Sequence, residues 1–266
     1  MRLNENTAIC TSKVLLVPYD PHHVPRYHEW MEDAAIREAT ASERLTLAEE
    51  HENQVSWREA PDKLTFIICE PLPPEDHLPL TSRDGAAVIA GLVDEPSRMV
   101  GDINLFLTRW DEDGEAPDLD DEAADGSEHG PERNYVSAEV DVMVADAARR
   151  GRGLGRAAVT AFLRYIRRNL DAVLAEYAGA DDPAAGRPVL RDVVAKINAG
   201  NQGSIALFKG LGFRQRGDVN YFGEVLMVLE GFGGERTGME EEQDGVADWG
   251  AEGWREVGYD RSQLKE

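Results

Sequence analysis

The sequence predicts an α/β fold, in which strands and helices follow one another along the chain. Apolar runs of strand length alternate with segments whose apolar residues recur at helical spacing. A turn of glycines and arginines, Arg149–Arg156, also joins a predicted strand directly to a predicted helix. The 266 residues include 42% hydrophobic residues, which is enough to bury a sizeable core.

Apolar runs predict six strands. The first contains Val14-Leu15-Leu16-Val17 and is ended by the turn-prone pair Asp20-Pro21. In chain order the predicted strands are Lys13–Pro18, Thr65–Cys69, Val100–Leu107, Tyr135–Val144, Val189–Ile197 and Tyr221–Leu229. A short additional strand is predicted within Ala86–Val93.

Periodic apolar residues and capping signals predict four helices. Pro25 is compatible with the first of them because proline is tolerated in a first helical turn. The second begins at Thr46, where Thr46-Leu47-Ala48-Glu49 has the form of a capping box. In chain order the helices are His23–Met31, a helix from Thr46 towards Trp57, a helix from the glycine-arginine turn to about Leu170, and Asn201–Gly210.

Acidic polar stretches interrupt this pattern. Three of them, near residues 70–97, 109–134 and 177–188, predict surface insertions, because they cannot bury enough apolar surface to offset the entropy of ordering. We assign residues 1–231 to one domain and residues 232–266, rich in glycine and glutamate, to a flexible acidic tail. Trp249 and Trp254 are the points at which this tail is expected to dock.

The net charge of −23 opposes broad binding to nucleic acid or to anionic membranes. Trp110–Glu132 holds eleven acidic residues and no Lys or Arg, whereas Arg149–Arg156 holds four arginines and no acid. This basic island in an acidic protein indicates a specific anionic ligand. The sequence shows no membrane span, signal peptide or transit peptide, which predicts a cytoplasmic or nuclear protein with Cys10 and Cys69 as free thiols.

The turn Arg149–Arg156 has the composition of a phosphate-binding turn. A helix N-terminus presents unpaired backbone N–H groups and a partial positive charge, so Gly151, Gly153 and Gly155 would let a phosphate approach the main chain. Such turns also serve as simple strand-to-helix connections, but the flanking arginines favour a ligand. Two nucleotide motifs do not fit: GxxxxGK[ST] is absent, and a Rossmann GxGxxG would need glycine where Arg156 stands.

Two ordered motifs resemble those of the GNAT acetyltransferases. Arg150-x-x-Gly153-x-Gly155 resembles the [Q/R]-x-x-G-x-[G/A] segment, and Asn201-x-x-Ser204-x-x-x-Phe208-x-x-x-Gly212-Phe213 resembles the later Asn, Ser/Ala, Tyr/Phe and Gly-Phe segment. Seven segments also resemble the N-acetyltransferase 9 branch of this superfamily: MRLNENT, KVLLVPY, HVPRYHEWM, TASERLTLAEE, DKLTFII, VGDINLFLT and EVDVMV. The resemblance extends from Met1 to about Leu229 and leaves out the insertions and the tail.

The resemblance implies the GNAT fold, a central twisted sheet of mixed direction with helices on both faces. Two of its strands, Tyr135–Val144 and Val189–Ile197, would splay apart so that the pantetheine arm of acetyl-CoA lies between them. Main-chain groups near Met143 and Val144 would bind the pantetheine amides and polarise the thioester carbonyl. The residues implied to bind the cofactor are Met143, Val144, Arg149, Arg150, Gly151, Arg152, Gly153, Leu154, Gly155, Arg156, Asn201, Ser204 and Phe208.

Two carboxylates are the candidates for catalysis. The reaction needs a neutral amine, its direct attack on the thioester carbonyl and a proton for the departing thiolate. Glu139 and Asp141 alternate on one strand face with Met143, so either could take a proton from an acceptor ammonium; otherwise they face solvent or pair with arginines.

The second motif departs from many GNAT enzymes at Phe208. A tyrosine at that position serves many of them as the general acid, and phenylalanine cannot donate a proton. We therefore expect Phe208 to pack against the cofactor arm. For Asn201, a contact with pantetheine competes with helix capping.

The resemblance implies transfer of acetyl from acetyl-CoA to a protein amine, an N-terminal α-amino group, and points to tubulin as the acceptor. The alternative is an acyl-CoA-binding or scaffold protein with little catalysis, an interpretation that Phe208 motivates. No metal is predicted, because His22, His23 and His28 lack the HExxH spacing and the acidic stretch after Trp110 does not match a calcium loop.

Overall fold

The computed structural model describes residues 1–72, 87–110, 134–179, 187–233 and 252–264. The strands are β1 Thr7–Cys10, β2 Leu15–Pro18, β3 Lys63–Cys69, β4 Ala87–Ile89, β5 Met99–Arg109, β6 Tyr135–Val144, β7 Val189–Asn198, β8 Arg214–Arg216, β9 Glu224–Glu230 and β10 Arg255–Asp260. The helices are α1 Val24–Met31, α2 Ala34–Ala39, α3 Leu47–Glu59, α4 Leu154–Arg168, α5 Leu170–Ala178 and α6 Gln202–Gly210, with 3-10 turns at Pro21–His23 and Ala147–Arg149.

All of these strands belong to one sheet in the order β4-β10-β1-β2-β3-β5-β6-β7-β9-β8. The pairs β10/β4 and β6/β7 are parallel, and the other neighbours are antiparallel. One buried cluster joins the sheet to α4, α5 and α6, and a second joins its other face to α1 and α2. The predicted α/β fold, with a mixed sheet and helices on both faces, is confirmed.

Elements with strong local signals in their sequence were predicted with the most accurate bounds. β6 has the predicted bounds Tyr135–Val144. At the start of α3 the Thr46 hydroxyl accepts a hydrogen bond from the Glu49 backbone N–H, and the Glu49 carboxylate accepts one from the Thr46 backbone N–H, which is the predicted capping box. Cys10 and Cys69 are free thiols, as predicted, and both are buried.

Several short elements were not predicted. β1, α2, α5 and β8 have three to nine residues each and lie next to stronger signals or in polar sequence. The predicted insertions lie partly outside the described residues, at 73–86, 111–133 and 180–186. In the first of them, a short strand was predicted within Ala86–Val93. The observed strand β4, Ala87–Ile89, occupies the first half of that segment.

The flexible tail predicted from residue 232 is wrong for its last described part. β10 pairs antiparallel with β1 and parallel with β4, so it lies inside the sheet. Val257 and Tyr259 alternate as its buried residues, a two-residue pattern that the glycine and glutamate around it obscure. The assignment of a tail remains a prediction for residues 234–251, including Trp249, which lie outside the described residues.

Side chains of the C-terminal segment hold it against the rest of the domain. Trp254 donates a hydrogen bond from Nε1 to the Ala161 carbonyl at 3.1 Å, so it docks on α4 as predicted. The Arg261 guanidinium contacts both carboxylate oxygens of Asp20, which also pairs with Arg58. In the described residues, no helix combines the length and the apolar character needed to cross a bilayer.

Gly101 allows β5 to lie against the end of β6. A Cβ atom at this position would lie 1.8 Å from the carbonyl oxygen of Met143, a distance that real Cβ atoms do not adopt. The two strands could accept such an atom only by moving apart at Met143. Gly101 therefore fixes the main chain that, by the resemblance, is expected to bind pantetheine.

Gly101→Ala is expected to lower the free energy of unfolding by about 2–3 kcal/mol, because the added methyl group overpacks a contact between two strands. Denaturant unfolding followed by circular dichroism would measure it. Gly203→Ala is the matched control: its Cβ would meet only the Asn201 Oδ1 at 3.8 Å, and alanine favours its helix. Equal stability of the two variants would contradict the role given to Gly101.

Candidate active site

The parallel strands β6 and β7 separate along their length. Their paired residues run from Tyr135 and Val189 to Glu139 and Val194, and the pairing ends there. β6 continues to Val144 beside β5, while β7 continues to Asn198 beside β9. The two strands thus leave an opening in the sheet whose near edge is Val140–Val144.

The glycine-arginine turn follows β6 at this opening. Gly151 and Gly153 have φ angles of +74° and +82°, a conformation that favours glycine. Gly153 is the N-cap of α4, so no side chain caps the helix, and the first turn contains no acidic residue. The leading N–H groups of α4, those of Leu154–Arg156, are therefore free of a side-chain cap, and their binding to an anion stays a prediction.

The phosphate contact of Gly155 stays a prediction, and the structure gives this glycine a packing role as well. A Cβ at Gly155 would lie 3.2 Å from Leu207 Cδ1 of α6, so this glycine permits close packing of α4 and α6. By contrast, a Cβ at Gly151 would meet no atom within 4 Å. Of the two, only Gly151 has open space beside it.

The four arginines of the turn differ in their partners. Arg149 pairs with Glu70 at 2.5 Å and with Asp146 at 3.3 Å. Arg150 donates to the carbonyls of Val144 and Ala145, and so fixes the end of β6. Arg156 donates to the Gly210 carbonyl at 3.1 Å. In the described parts of the chain, Arg152 is exposed and has no recorded hydrogen bond or ion pair, which leaves its charge for a ligand.

Lys13 is a cation of this site that the sequence did not identify. Its Nζ atom lies 3.5 Å from the position of a Cβ on Gly153, although the two residues are 140 positions apart in the chain. The turn between β1 and β2 brings it there. No spacing rule in the sequence could have linked it to the glycines.

The second motif forms the start and body of α6. Asn201 Oδ1 accepts a hydrogen bond from the Ser204 backbone N–H at 3.1 Å, so Asn201 caps the helix, and Ser204 is partly exposed. Phe208 is only 2% exposed and its ring packs at right angles on Phe213, with centroids 5.0 Å apart. Phe208 therefore contributes to the core beneath the site.

Glu139, Asp141 and Met143 lie on one face of β6, as predicted. Glu139 pairs with Lys196 of β7 at 3.1 Å and is partly exposed. Burial, together with the charge of Glu139, raises the pKa of Asp141 to about 6. The two carboxylates are thus distinct, and Asp141 has the pKa expected of a base near neutral pH.

β5 adds two polar residues on the same face that the sequence did not identify. Asp102 lies opposite Met143, and Asn104 lies opposite Asp141. Both side chains are 2% exposed, and Asp102 Oδ2 accepts hydrogen bonds from Asn104 Nδ2 at 2.9 Å and from the Tyr27 hydroxyl at 3.3 Å. Their signal was present: VGDINLFL places two polar residues at alternate positions of an apolar strand.

The face that carries these groups is acidic and little neutralised. Burial and the charge of Asp141 raise the pKa of Asp102 to about 7, and burial also raises the pKa of Glu50 on α3. Lys196 pairs with Glu139 rather than with Asp141. Such a face favours a bound cation or a bound proton.

A histidine-carboxylate cluster lies elsewhere, beside β10. Nε2 of His22 and Nε2 of His23 lie 3.2 Å and 2.9 Å from Asp94 Oδ2, which also accepts the Tyr259 hydroxyl. Burial opposes the charge on Asp94, but these hydrogen bonds outweigh it and hold its pKa well below the ordinary value.

Among the described residues, His22, His23 and Asp94 form the one group of side chains whose ligand atoms, all within 4.8 Å of one another, could bind a metal ion. His23 Nδ1 accepts the Asp20 backbone N–H at 3.0 Å, so the proton of the neutral ring is on Nε2, where a metal would have to bind. The hydrogen bonds therefore favour a structural role that attaches β10. His28 lies near Glu32, outside this cluster.

Comparison with known proteins gives the family. The family model for the acetyltransferase (GNAT) domain matches residues 13–214. Alpha/beta-tubulin-N-acetyltransferase 9 of Drosophila melanogaster is 38% identical over 229 residues, which cover 85% of this chain and 88% of that protein. The human protein of the same name is 37% identical over 230 residues, covering 86% of each chain.

Among solved structures, spermidine N-acetyltransferase from Vibrio cholerae, in complex with CoA and spermine, is 12% identical, with a TM-score of 0.49 over 82% of this chain and 94% of that one. The family match spans most of the chain, and the two relatives cover more than four fifths of it. The chain therefore belongs to the GNAT family of acetyltransferases, with N-acetyltransferase 9 proteins as relatives, and is an acetyl-CoA-dependent N-acetyltransferase.

Proposed function

We propose that this enzyme acetylates the N-terminal α-amino group of a protein, with tubulin as the acceptor. The observation that carries the proposal is the opening between β6 and β7, where the chain after β6 leads into an uncapped helix N-terminus and Asp141 belongs to the unpaired edge of β6. The printed names of the Drosophila and human relatives support tubulin. A tubulin acceptor places the reaction in the cytoplasm.

The residues at the opening fit acetyl-CoA as the donor. The N–H groups of α4 and the space beside Gly151 suit a pyrophosphate, and Arg152 and Lys13 supply positive charge. The unpaired edge of β6 at Met143 and Val144 suits the pantetheine amides. Asn201 caps α6, which carries Ser204 and Phe208. Acetyl-CoA supplies an activated acetyl group that an amine attacks directly.

Acidic residues on one face of β5 and β6 act on the acceptor amine. At neutral pH an α-amino group is largely an ammonium, which the acidic face of β5 and β6 attracts. Asp141 takes the proton and leaves the nitrogen lone pair free, so no covalent bond to the enzyme is required. Glu139, held by Lys196, contributes negative charge that keeps the Asp141 carboxylate basic.

The proposal is tested with labelled acetyl-CoA and three acceptors: tubulin, tubulin with chemically blocked N-termini, and tubulin with blocked lysines. Transfer should survive lysine blocking and disappear when the N-termini are blocked. Mass spectrometry of the first peptide would locate the acetyl group. Transfer that disappears only with lysine blocking would show side-chain specificity and contradict the proposed acceptor.

A second function, acyl-CoA binding with little transfer, is favoured by one observation: Phe208 is buried and cannot donate a proton. It predicts that acetyl-CoA binds tightly by calorimetry while no acceptor is modified. A double variant at Arg150 and Gly153 is the background control for both measurements. Acetyl transfer above that background would show that the protein is an enzyme rather than an acyl-CoA-binding protein.

A further inference from the structure

We propose that Lys13, on the turn between β1 and β2, binds the pyrophosphate of acetyl-CoA, and that the C-terminal segment Glu252–Trp254 holds this turn in place. Binding of CoA and docking of β10 are then coupled. The proposal rests on the donor part of the proposed function. It adds a residue and a chain segment that lie outside both sequence motifs.

The turn between β1 and β2 lies at the end of the sheet where α4 begins. Leu15, the first residue of β2, pairs with Cys69 at the end of β3, and Cys69 pairs in turn with Met99 at the start of β5. Two residues later, Gly101 of β5 pairs with Val144, the last residue of β6. Four strands therefore begin or end here, and the glycine-arginine turn continues from β6 at this end.

Lys13 contacts the N-cap residue of α4. Its Nζ atom lies 3.5 Å from the position of a Cβ on Gly153. Lys13 is exposed, and among the described residues its side chain has no recorded hydrogen bond or ion pair. A cation at a helix N-terminus is unfavourable, because that end of the helix carries a partial positive charge, and Arg152 adds a further charge. An anion bound between them removes this repulsion, so the contact suits the pyrophosphate.

Hydrogen bonds fix the main chain on both sides of Lys13. The Thr11 hydroxyl accepts the backbone N–H groups of Lys13 at 3.2 Å and of Val14 at 2.9 Å, and it donates to the Val14 carbonyl at 2.9 Å. The Thr11 backbone N–H donates to the same carbonyl at 3.0 Å. The turn is therefore ordered before the ligand arrives, which reduces the entropy that binding costs.

The C-terminal segment contacts both this turn and α4. The Ser12 backbone N–H donates to the Glu252 carbonyl at 2.9 Å, and β10 pairs with β1 directly beyond this bond. Trp254 donates from Nε1 to the Ala161 carbonyl of α4 at 3.1 Å. The segment thus ties the turn to the helix whose leading N–H groups face the anion.

Thermodynamic linkage makes the coupling reciprocal. If docking of β10 strengthens the binding of CoA through Lys13, bound CoA must strengthen the docking of β10 by the same factor. The effect of CoA on β10 should therefore depend on the Lys13 side chain. This dependence separates the proposed coupling from a general stabilisation of the fold by its ligand.

Lys13→Gln is expected to weaken CoA binding by about 10-fold in isothermal calorimetry, because it removes a charge-assisted contact with a phosphate. Lys13→Arg keeps the charge and should restore most of the affinity. The loss in Lys13→Gln should be the same for dephospho-CoA, which lacks the 3′-phosphate. A loss that disappears with dephospho-CoA would overturn the assignment to the pyrophosphate.

Lys63→Gln is the matched control, since Lys63 begins β3 at the end of that strand opposite Cys69. It removes the same charge far from the turn and should leave CoA binding unchanged. Native affinity in Lys13→Gln, or an equal loss in Lys63→Gln, would overturn the role of Lys13.

The coupling is tested by hydrogen–deuterium exchange at saturating CoA. The β10 amides should gain more protection than those of β9, near the other edge of the sheet, and this excess should be absent in Lys13→Gln. Trp254→Ala should weaken CoA binding in the native chain but not in Lys13→Gln, because its effect passes through Lys13. An equal excess in both proteins overturns the coupling. CoA binding of this kind without acetylation of tubulin would contradict the proposed acceptor alone.

Discussion

Gly153→Glu is expected to weaken the binding of CoA by about 100-fold or more. A carboxylate at this position would face the phosphates at the N-terminus of α4, and like charges at close range cost several kcal/mol. A side chain at φ of +82° also strains the turn that opens the helix. Isothermal calorimetry with CoA would measure the loss, and circular dichroism would show that the fold is retained.

Gly231→Glu is the control for this variant. Its φ angle is +73°, and a Cβ there would meet no atom within 4 Å, so it adds the same charge and a similar strain outside the turn. CoA should bind this variant as it binds the native protein. Equal binding to Gly153→Glu and native protein would show that the cofactor does not use the turn.

Asp141→Asn is expected to lower kcat/KM by about 100- to 1,000-fold, the usual contribution of a general base, while CoA binding stays unchanged. The acidic limb of the pH-rate profile should disappear as well, because the group whose pKa is raised to about 6 is gone. Above that pKa the native Asp141 is ionised and can accept a proton, and below it activity falls. Initial rates between pH 5 and pH 9 would establish both effects.

Glu139→Gln provides the comparison, since it changes a neighbouring carboxylate on the same strand face. Glu139 is held by Lys196 and is partly exposed, so its loss should reduce kcat/KM less than the loss of Asp141. It should also shift the acidic limb to lower pH, because the charge of Glu139 helps to raise the pKa of Asp141. A larger loss in Glu139→Gln, with an unchanged profile in Asp141→Asn, would assign the base to Glu139.

The parts of the fold that could be predicted were those with strong local signals. The apolar run of β2, the capping box at Thr46 and the glycines before α4 each fix one element through interactions within a few residues. β10 could not be found in this way, since its two buried residues become significant only when β1 and β4 lie on either side. Its stability comes from tertiary pairing rather than from local sequence.

The residues of the site also divide into those that local sequence predicts and those that depend on contacts between distant segments. The turn could be predicted because adjacent residues of one segment form it. Lys13 and Asp102 could not be placed, since the turn between β1 and β2 brings Lys13 to Gly153 and strand register brings Asp102 opposite Met143. The ranking of Glu139 and Asp141 also depended on burial and on Lys196, which the alternation of β6 alone does not reveal.

The place of β10 between β1 and β4 has a consequence for the order in which the protein assembles during synthesis. β4 has β10 as its neighbour at the edge of the sheet, and β10 is made more than 160 residues later. Until Arg255–Asp260 leaves the ribosome, neither β4 nor the outer edge of β1 can pair as in the final sheet. Completion of the sheet therefore waits for Arg255–Asp260, and until that segment emerges the growing chain carries an unpaired edge of β1.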